Sequence, residues 1–102
     1  MNLQTKLQAL TMKDVLNVLS TYDIRHVPVL YESNKELGGL CVPSRNIILI
    51  SDHTSYQERE TAIIHEIVHG DDFSRRGHTS ERTTDIRTKL TYLQLNGHYF
   101  GQ

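Results

Sequence analysis

The segment TAIIHEIVHG, residues 61–70, carries two histidines four residues apart and a glutamate directly after the first. Isoleucine and valine make up most of its remaining side chains, which is typical of a helix that is buried around most of its circumference. Residues four apart on an α-helix lie on one face, about 6 Å apart along the axis. His65 and His69 can therefore converge on one metal ion. Because polar groups without partners are costly on a buried helix, the segment predicts a central helix with a metal site.

Glu66 follows His65 and points roughly 100° further round the helix. That direction places its carboxylate beside the metal rather than on it. There it can take a proton from a water molecule activated by zinc and pass the proton to a leaving amine. The interpretation without a metal is a hydrogen-bonded pair of core histidines, or a degenerate site.

A catalytic zinc ion usually has three protein ligands, so a third must come from elsewhere in the chain. Glu81 is one candidate, because it opens the last predicted helix and this single helix would account for two acids, Glu81 and Asp85. Asp85 lies one turn later on the same face and can accept the free N–H of His65 or His69.

Other side chains offer alternatives for the third ligand or for an oxyanion donor. His78 could be either, although an exposed loop histidine is the simpler interpretation. Cys41 could complete a Cys-His-His site similar to that of peptide deformylase, or could be a small buried strand residue. Asp72 is expected to point away from His69, and Tyr56 is a weak candidate for the oxyanion donor.

The remaining elements predict an α+β fold with helix, three antiparallel strands, helix, long loop and helix in that order. TMKD, starting at Thr11, is a capping-box start for a helix that reaches about Tyr22. Leu3, Leu7 and Leu10 precede it at helical spacing, which indicates one broken helix or two short ones. RHVPVLYES, LGGLCV and NIILIS are the predicted strands, the last two forming a hairpin through residues 43–45.

The central helix is expected to end at Gly70, a common C-terminal residue of helices. GDDFSRRGHTS then reads as a loop. The last helix should run from about Ser80 to Leu95. Ile86, Leu90 and Leu93 have the spacing i, i+4, i+7, so we expect them to face the core.

Composition limits what else the chain can do. With 102 residues, 37% of them hydrophobic, and a formal charge of −1, residues 1–102 are expected to form one small domain. No apolar run is long enough for a membrane span, and the N-terminal residues lack the pattern of a signal peptide. The single cysteine is consistent with a reducing compartment, so we expect the cytoplasm. Direct nucleic-acid binding is not expected, because no basic run is longer than Arg75-Arg76.

The order of elements and the motifs from about Met12 to Leu95 resemble the ImmA/IrrE family of zincin-like metallopeptidases, small proteins common in phages and mobile elements. In that family a glycine and a β-hairpin lead into the motif helix, as in ELGGLCVPSRNIILIS and RETAIIHEIVHG. A following helix carries a glutamate ligand and a nearby Asp or Asn, as in ERTTD, residues 81–85. This chain departs from the family's frequent HELGH and ExEAN patterns, with HEIVH and threonines at 83 and 84.

The resemblance implies a minimal zincin-like fold, zinc on His65, His69 and Glu81, and Glu66 as general base. It also implies hydrolysis of a protein substrate, often a helix-turn-helix transcriptional repressor. A zinc-dependent endopeptidase is therefore the leading hypothesis. The alternatives are a zinc-containing regulator that binds a protein without cutting it, and a deformylase-like amidase that requires Cys41.

Overall fold

The computed structural model describes residues 7–53 and 55–100, with the side chains of all these positions except 56, 57 and 96–100. The protein has an α+β fold, as predicted. None of its described helices combines the length and apolar composition that a membrane span requires. The helices are α1 (Met12–Thr21), α2 (Tyr56–Arg76) and α3 (Glu81–Phe100), and the strands are β1 (Asp23–Val27), β2 (Leu30–Glu32), β3 (Lys35–Leu37), β4 (Gly39–Val42) and β5 (Ile47–Ser51).

The main sheet has three strands in the order β1-β5-β4. Strands β4 and β5 form the predicted antiparallel hairpin, closed by a 3-10 turn over Pro43–Arg45 and by Asn46 in the left-handed conformation. Strand β1 runs parallel to β5. The prediction of an entirely antiparallel sheet is therefore wrong for this pair, and the sheet is mixed. Parallel strands need a long connection, which residues 28–46 supply.

A separate two-stranded sheet, formed by β2 and β3, was not predicted. The predicted strand RHVPVLYES breaks at Pro28, which has no amide N–H for a ladder hydrogen bond. Its second half pairs with β3 across Ser33 and Asn34, whose φ angles are 51° and 67°. Two consecutive positive φ angles are typical of a type I′ hairpin turn.

Helix α1 begins with the predicted capping box. The Thr11 hydroxyl accepts a hydrogen bond from the amide of Asp14, and the Asp14 carboxylate accepts one from the amide of Thr11. Leu3 lies outside the described residues, and residues 7–11 are not helical. The amide of Leu10 instead donates to the hydroxyl of Thr91 on α3, at 2.9 Å.

Helix α2 passes through Gly70 and ends at Arg76, so the prediction of a stop at Gly70 is wrong. Its terminal glycine is Gly77, with φ of 74°. Gly70 instead lets α1 approach α2, since a Cβ there would lie 3.1 Å from Val18 Cγ1 and 3.2 Å from Tyr22 Cε1. A glycine inside a helix can thus serve close packing rather than termination.

The core confirms that α2 is the central helix. It packs against α1, α3, β4 and β5. Ile64, Ile67 and Val68 contribute its buried apolar side chains. The other buried apolar residues are Leu10, Val18, Tyr22, Ile48 and Ile50.

Helix α3 turns a polar face, not its apolar one, toward the rest of the protein. Ile86 and Leu90 are each 38% exposed and Leu93 is 66% exposed, so the predicted core face is wrong. The buried side chains of α3 are Thr84, Arg87, Thr88 and Thr91.

Arg87 holds this polar face in place. Its Nη1 donates to Asp72 Oδ1 at 2.7 Å and to Asp71 Oδ2 at 3.1 Å, and its Nε donates to the carbonyl of Gln8 at 2.8 Å. Asp71 also accepts a hydrogen bond from Arg75, which pairs in turn with Asp14 on α1. One network of ion pairs therefore joins all three helices. The two aspartates lie in the segment that the sequence predicted to be a loop.

Replacing Arg87 by methionine should lower the free energy of unfolding by about 3–5 kcal/mol, because Asp71 and Asp72 would remain buried without their partner. Chemical denaturation followed by circular dichroism measures the change. The matched control is Arg82→Met on the exposed face of α3, which should change stability by no more than about 0.5 kcal/mol. Similar losses for both variants would show that the buried ion pairs do not hold α3.

Candidate metal centre

His65, His69 and Glu81 bring their ligand atoms to one point. Helix α2 presents both histidines on one face, with their Nε2 atoms 3.1 Å apart. The first turn of α3 brings Glu81 Oε1 to 3.3 Å from His65 Nε2, and Oε2 to 3.0 Å from His69 Nε2. Among the described residues this is the one group of His, Cys, Asp or Glu that could hold a metal ion.

The spacing of these atoms suits a small divalent cation. Bonds of about 2.0–2.1 Å at tetrahedral angles place neighbouring ligand atoms about 3.3 Å apart. The three distances, 3.0, 3.1 and 3.3 Å, are close to that value. Two imidazoles and one carboxylate also leave a fourth position for water or substrate, as in catalytic zinc sites.

The other ring nitrogens fix the orientation of the imidazoles. His65 Nδ1 lies 3.4 Å from Asp85 Oδ1, and His69 Nδ1 lies 2.8 Å from Thr79 Oγ1. If each Nδ1 carries the proton and donates it outward, the Nε2 lone pairs face each other and the Glu81 carboxylate. Burial lowers the pKa of His69, which favours its neutral, ligating form. Three electron-pair donors in contact are stabilised by a shared cation.

Thr79 and Thr84 are parts of the site that sequence reasoning missed. Thr84 is completely buried, and its Oγ1 lies 3.2 Å from Thr79 Oγ1 and 3.4 Å from His69 Nδ1. Thr84 occupies a position where the sequence departs from the ImmA/IrrE pattern. Its place three residues after Glu81, on the same helix face, was a usable signal. Thr79 lies in a loop, where no periodicity reveals the direction of a side chain.

Glu66 is 5% exposed and lies beside the three candidate ligands without belonging to their group. Burial, together with the charge of Glu81, raises the pKa of Glu66 to about 8. Gly39 on β4 makes room for it, since a Cβ at that position would lie 2.8 Å from Glu66 Cγ. The pair Gly38-Gly39 was the sequence signal for this close approach.

A cleft of about 540 Å³ opens over these residues, and we call it the metal cleft. Its lining includes His65, Glu66, His69, Glu81 and Cys41. The base candidate and the possible ligands therefore face the same space.

The alternative ligands do not belong to the group of His65, His69 and Glu81. Cys41 lines the metal cleft but is not in the ligand group, and burial, together with the charge of Glu66, raises the pKa of its thiol to about 12. His78 is exposed in the loop between α2 and α3 and also falls outside the group. Asp72 binds Arg87, and the side chain of Tyr56 is outside the described part of the chain.

Comparison of the chain with protein-family models, with curated proteins and with solved structures finds no match.

Purified protein should bind one zinc ion per chain. Glu81→Ala should lower the zinc affinity by more than about 100-fold, because losing a hydrogen-bond partner of a ligand already costs about 10- to 100-fold. Competition with a chromophoric chelator measures the affinity. Cys41→Ser and His78→Ala should retain the ion, because neither side chain belongs to the group. Zinc lost with Cys41 and kept without Glu81 would contradict this ligand set.

Thr79→Val should weaken metal binding by about 10- to 100-fold, because His69 would lose the acceptor that orients its ring. Isothermal titration with zinc measures the effect. Thr83→Val is the matched control, since the Thr83 hydroxyl donates to the carbonyl of Ser80 and not to a candidate ligand. Equal affinities for the two variants would show that Thr79 does not orient His69.

Proposed function

We propose that the chain is a zinc-dependent metallopeptidase that hydrolyses a peptide bond in a protein substrate. The observation that carries the proposal is the position of Glu66, a buried carboxylate next to a His-His-Glu group but outside it, with both facing one cleft. A purely structural metal site needs no such carboxylate. General acid–base catalysis does need one.

His65, His69 and Glu81 would hold the zinc ion, whose preferred ligands include imidazole nitrogen and carboxylate oxygen. When bound, zinc would act as a Lewis acid that lowers the pKa of a water molecule and polarises the carbonyl of the substrate. Asp85 and Thr79 would hold the imidazoles in the ligating orientation.

Glu66 would move the protons of the reaction. It accepts a proton from the water that attacks the carbonyl carbon, and it returns this proton to the amine nitrogen as the C–N bond breaks. Burial and the charge of Glu81 raise the pKa of Glu66, which favours the protonated form that donates. A cation bound to Glu81 would partly neutralise its carboxylate. Glu81 would then repel Glu66 less, which would favour the ionised form of Glu66.

Strand β4 offers a place for the substrate backbone. It is an edge strand of the main sheet, and its residues Gly39, Leu40 and Cys41 line the metal cleft. An extended peptide that pairs with a free strand edge gains main-chain hydrogen bonds without regard to sequence. A peptide held there would pass in front of Glu66.

The resemblance to the ImmA/IrrE family suggests a helix-turn-helix repressor as the protein substrate. The cytoplasm is the compartment that we propose for this reaction, because a single cysteine suits a reducing environment.

A zinc-containing regulator that binds a protein without cutting it is the second candidate. The observation in its favour is the pair of exposed apolar stripes on α1 and α3, since such surfaces often mark protein interactions. They consist of Met12, Leu16 and Leu19 on α1, and of Ile86, Leu90 and Leu93 on α3.

Glu66→Gln separates the two candidates, because it removes the proton acceptor and leaves the ligands. We expect kcat/KM to fall by about 10²- to 10⁴-fold at unchanged zinc content. Mass spectrometry of a digested peptide mixture measures the cleavage. Glu60→Gln, on the same helix and outside the ligand group, is the matched control. A zinc-loaded wild type that cuts no peptide, with partner binding intact in Glu66→Gln, would favour the regulator.

A further inference from the structure

A second cavity, of about 460 Å³, adjoins the metal cleft. We call it the side cavity, and it is lined by Leu37, Gly38, Gly39, Thr61 and Ala62 together with Glu58, His65 and Glu66. We propose that it binds one large, uncharged apolar side chain of the polypeptide that occupies the metal cleft. The proposal rests on the proposed function, because it takes the cleft to receive a polypeptide. It adds the class of side chain that the protein selects in that polypeptide.

The two cavities meet at the reacting centre. Leu37, Gly39, His65 and Glu66 line both of them. A polypeptide whose backbone passes Glu66 can therefore place one side chain in the side cavity. The selected residue would be a neighbour of the bond presented to Glu66.

The side cavity is open because small residues line it. Gly38 and Gly39 have no side chains, and Ala62 has only a methyl group. Ala62 precedes His65 by three residues and Glu66 by four, so it lies on their side of α2, one turn nearer the helix N-terminus. A large residue at position 62 would fill the space next to His65 and leave the set of candidate ligands unchanged.

The chemistry of the lining selects the class of side chain. Leu37, Ala62 and the two glycines give mainly apolar walls, so an aliphatic or aromatic group gains by leaving water there. The carboxylates of Glu58 and Glu66 disfavour an acidic residue. A basic side chain would lose its hydration against the apolar walls, and Glu58, whose Oε2 already accepts a hydrogen bond from the Ser55 hydroxyl at 2.6 Å, would replace that hydration only in part. The volume lies within the range of about 300–1,000 Å³ that is usual for binding pockets.

A binding selection tests the proposal independently of cleavage. Zinc-loaded Glu66→Gln protein is used to select binders from a random peptide library, which is then sequenced. We expect enrichment of leucine, isoleucine, methionine or phenylalanine at one position, and at least about 10-fold weaker binding when that residue is replaced by glycine. Adding Ala62→Phe should abolish this preference and favour glycine or alanine there.

Two further variants keep the result interpretable. Arg76→Phe adds the same side chain to an exposed position of α2 outside both cavities, and it should leave the preference unchanged. Leu37→Ala enlarges the side cavity, and it should shift the preference from leucine toward phenylalanine even if Ala62→Phe does not fold.

The outcomes separate the two proposals. No peptide bound, no positional preference, or a preference unchanged by both Ala62→Phe and Leu37→Ala would overturn the role of the side cavity. Wild-type protein that binds the selected peptides with the expected preference and cuts none of them would overturn the peptidase proposal alone.

Discussion

The ion pairs of Arg87 with Asp71 and Asp72 determine how α3 lies against α2. The candidate ligands are divided between these helices, two on α2 and one on α3, so their spacing depends on this contact. The buried side chains on the contact face of α3 are threonines and Arg87, and the partly buried Tyr92 packs beside them, so apolar packing alone would not fix the register. Buried charges pair well in few arrangements, because any slip leaves one of them unpaired. The network thus sets the position of Glu81 relative to the histidines.

The candidate metal centre brings several electron-pair donors together in a small space. Two imidazole nitrogens and a carboxylate are in contact, and Glu66 lies buried next to Glu81. Burial raises the pKa of Glu66, and the repulsion from the charge of Glu81 adds to the rise. A cation bound to both helices would relieve this repulsion. It would also tie the first turn of α3 to α2, whereas the hydrogen bond between Leu10 and Thr91 holds α3 further along its length. Metal binding should therefore be coupled to the stability of the α2–α3 contact, since a ligand that binds only the folded state stabilises it.

What the sequence could predict was local. The α+β class, the capping box at Thr11, the β4-β5 hairpin and the face shared by His65 and His69 all follow from spacing within a few residues. The errors have one physical source, which is tertiary contact. Gly70 looked like a helix end because its packing against Val18 and Tyr22 comes from α1, far away in sequence.

The apolar stripe of α3 looked like a core face for a related reason. Asp71 and Asp72 pair with Arg87 on the opposite face of α3, and the sequence predicted a loop at both aspartates. The direction of β1 could not be read from the sequence, because a strand's pattern does not state whether its partner is parallel. Thr79 could not be assigned, because its direction depends on the path of a loop. Glu81 was expected as a ligand because it shares a helix face with Asp85 and because the resemblance to the ImmA/IrrE family implies it, and in the structure it lies beside the histidines.

Gly39 meets two requirements at once. A side chain there would press on Glu66, and it would also narrow the opening between the metal cleft and the side cavity, both of which Gly39 lines. Substitution at this position would therefore change the proposed proton transfer and the proposed selectivity together. Ala62 lines the side cavity and not the metal cleft. Selectivity could thus change at position 62 while the lining of the metal cleft stays the same, so one scaffold could accept different polypeptides with the same chemistry.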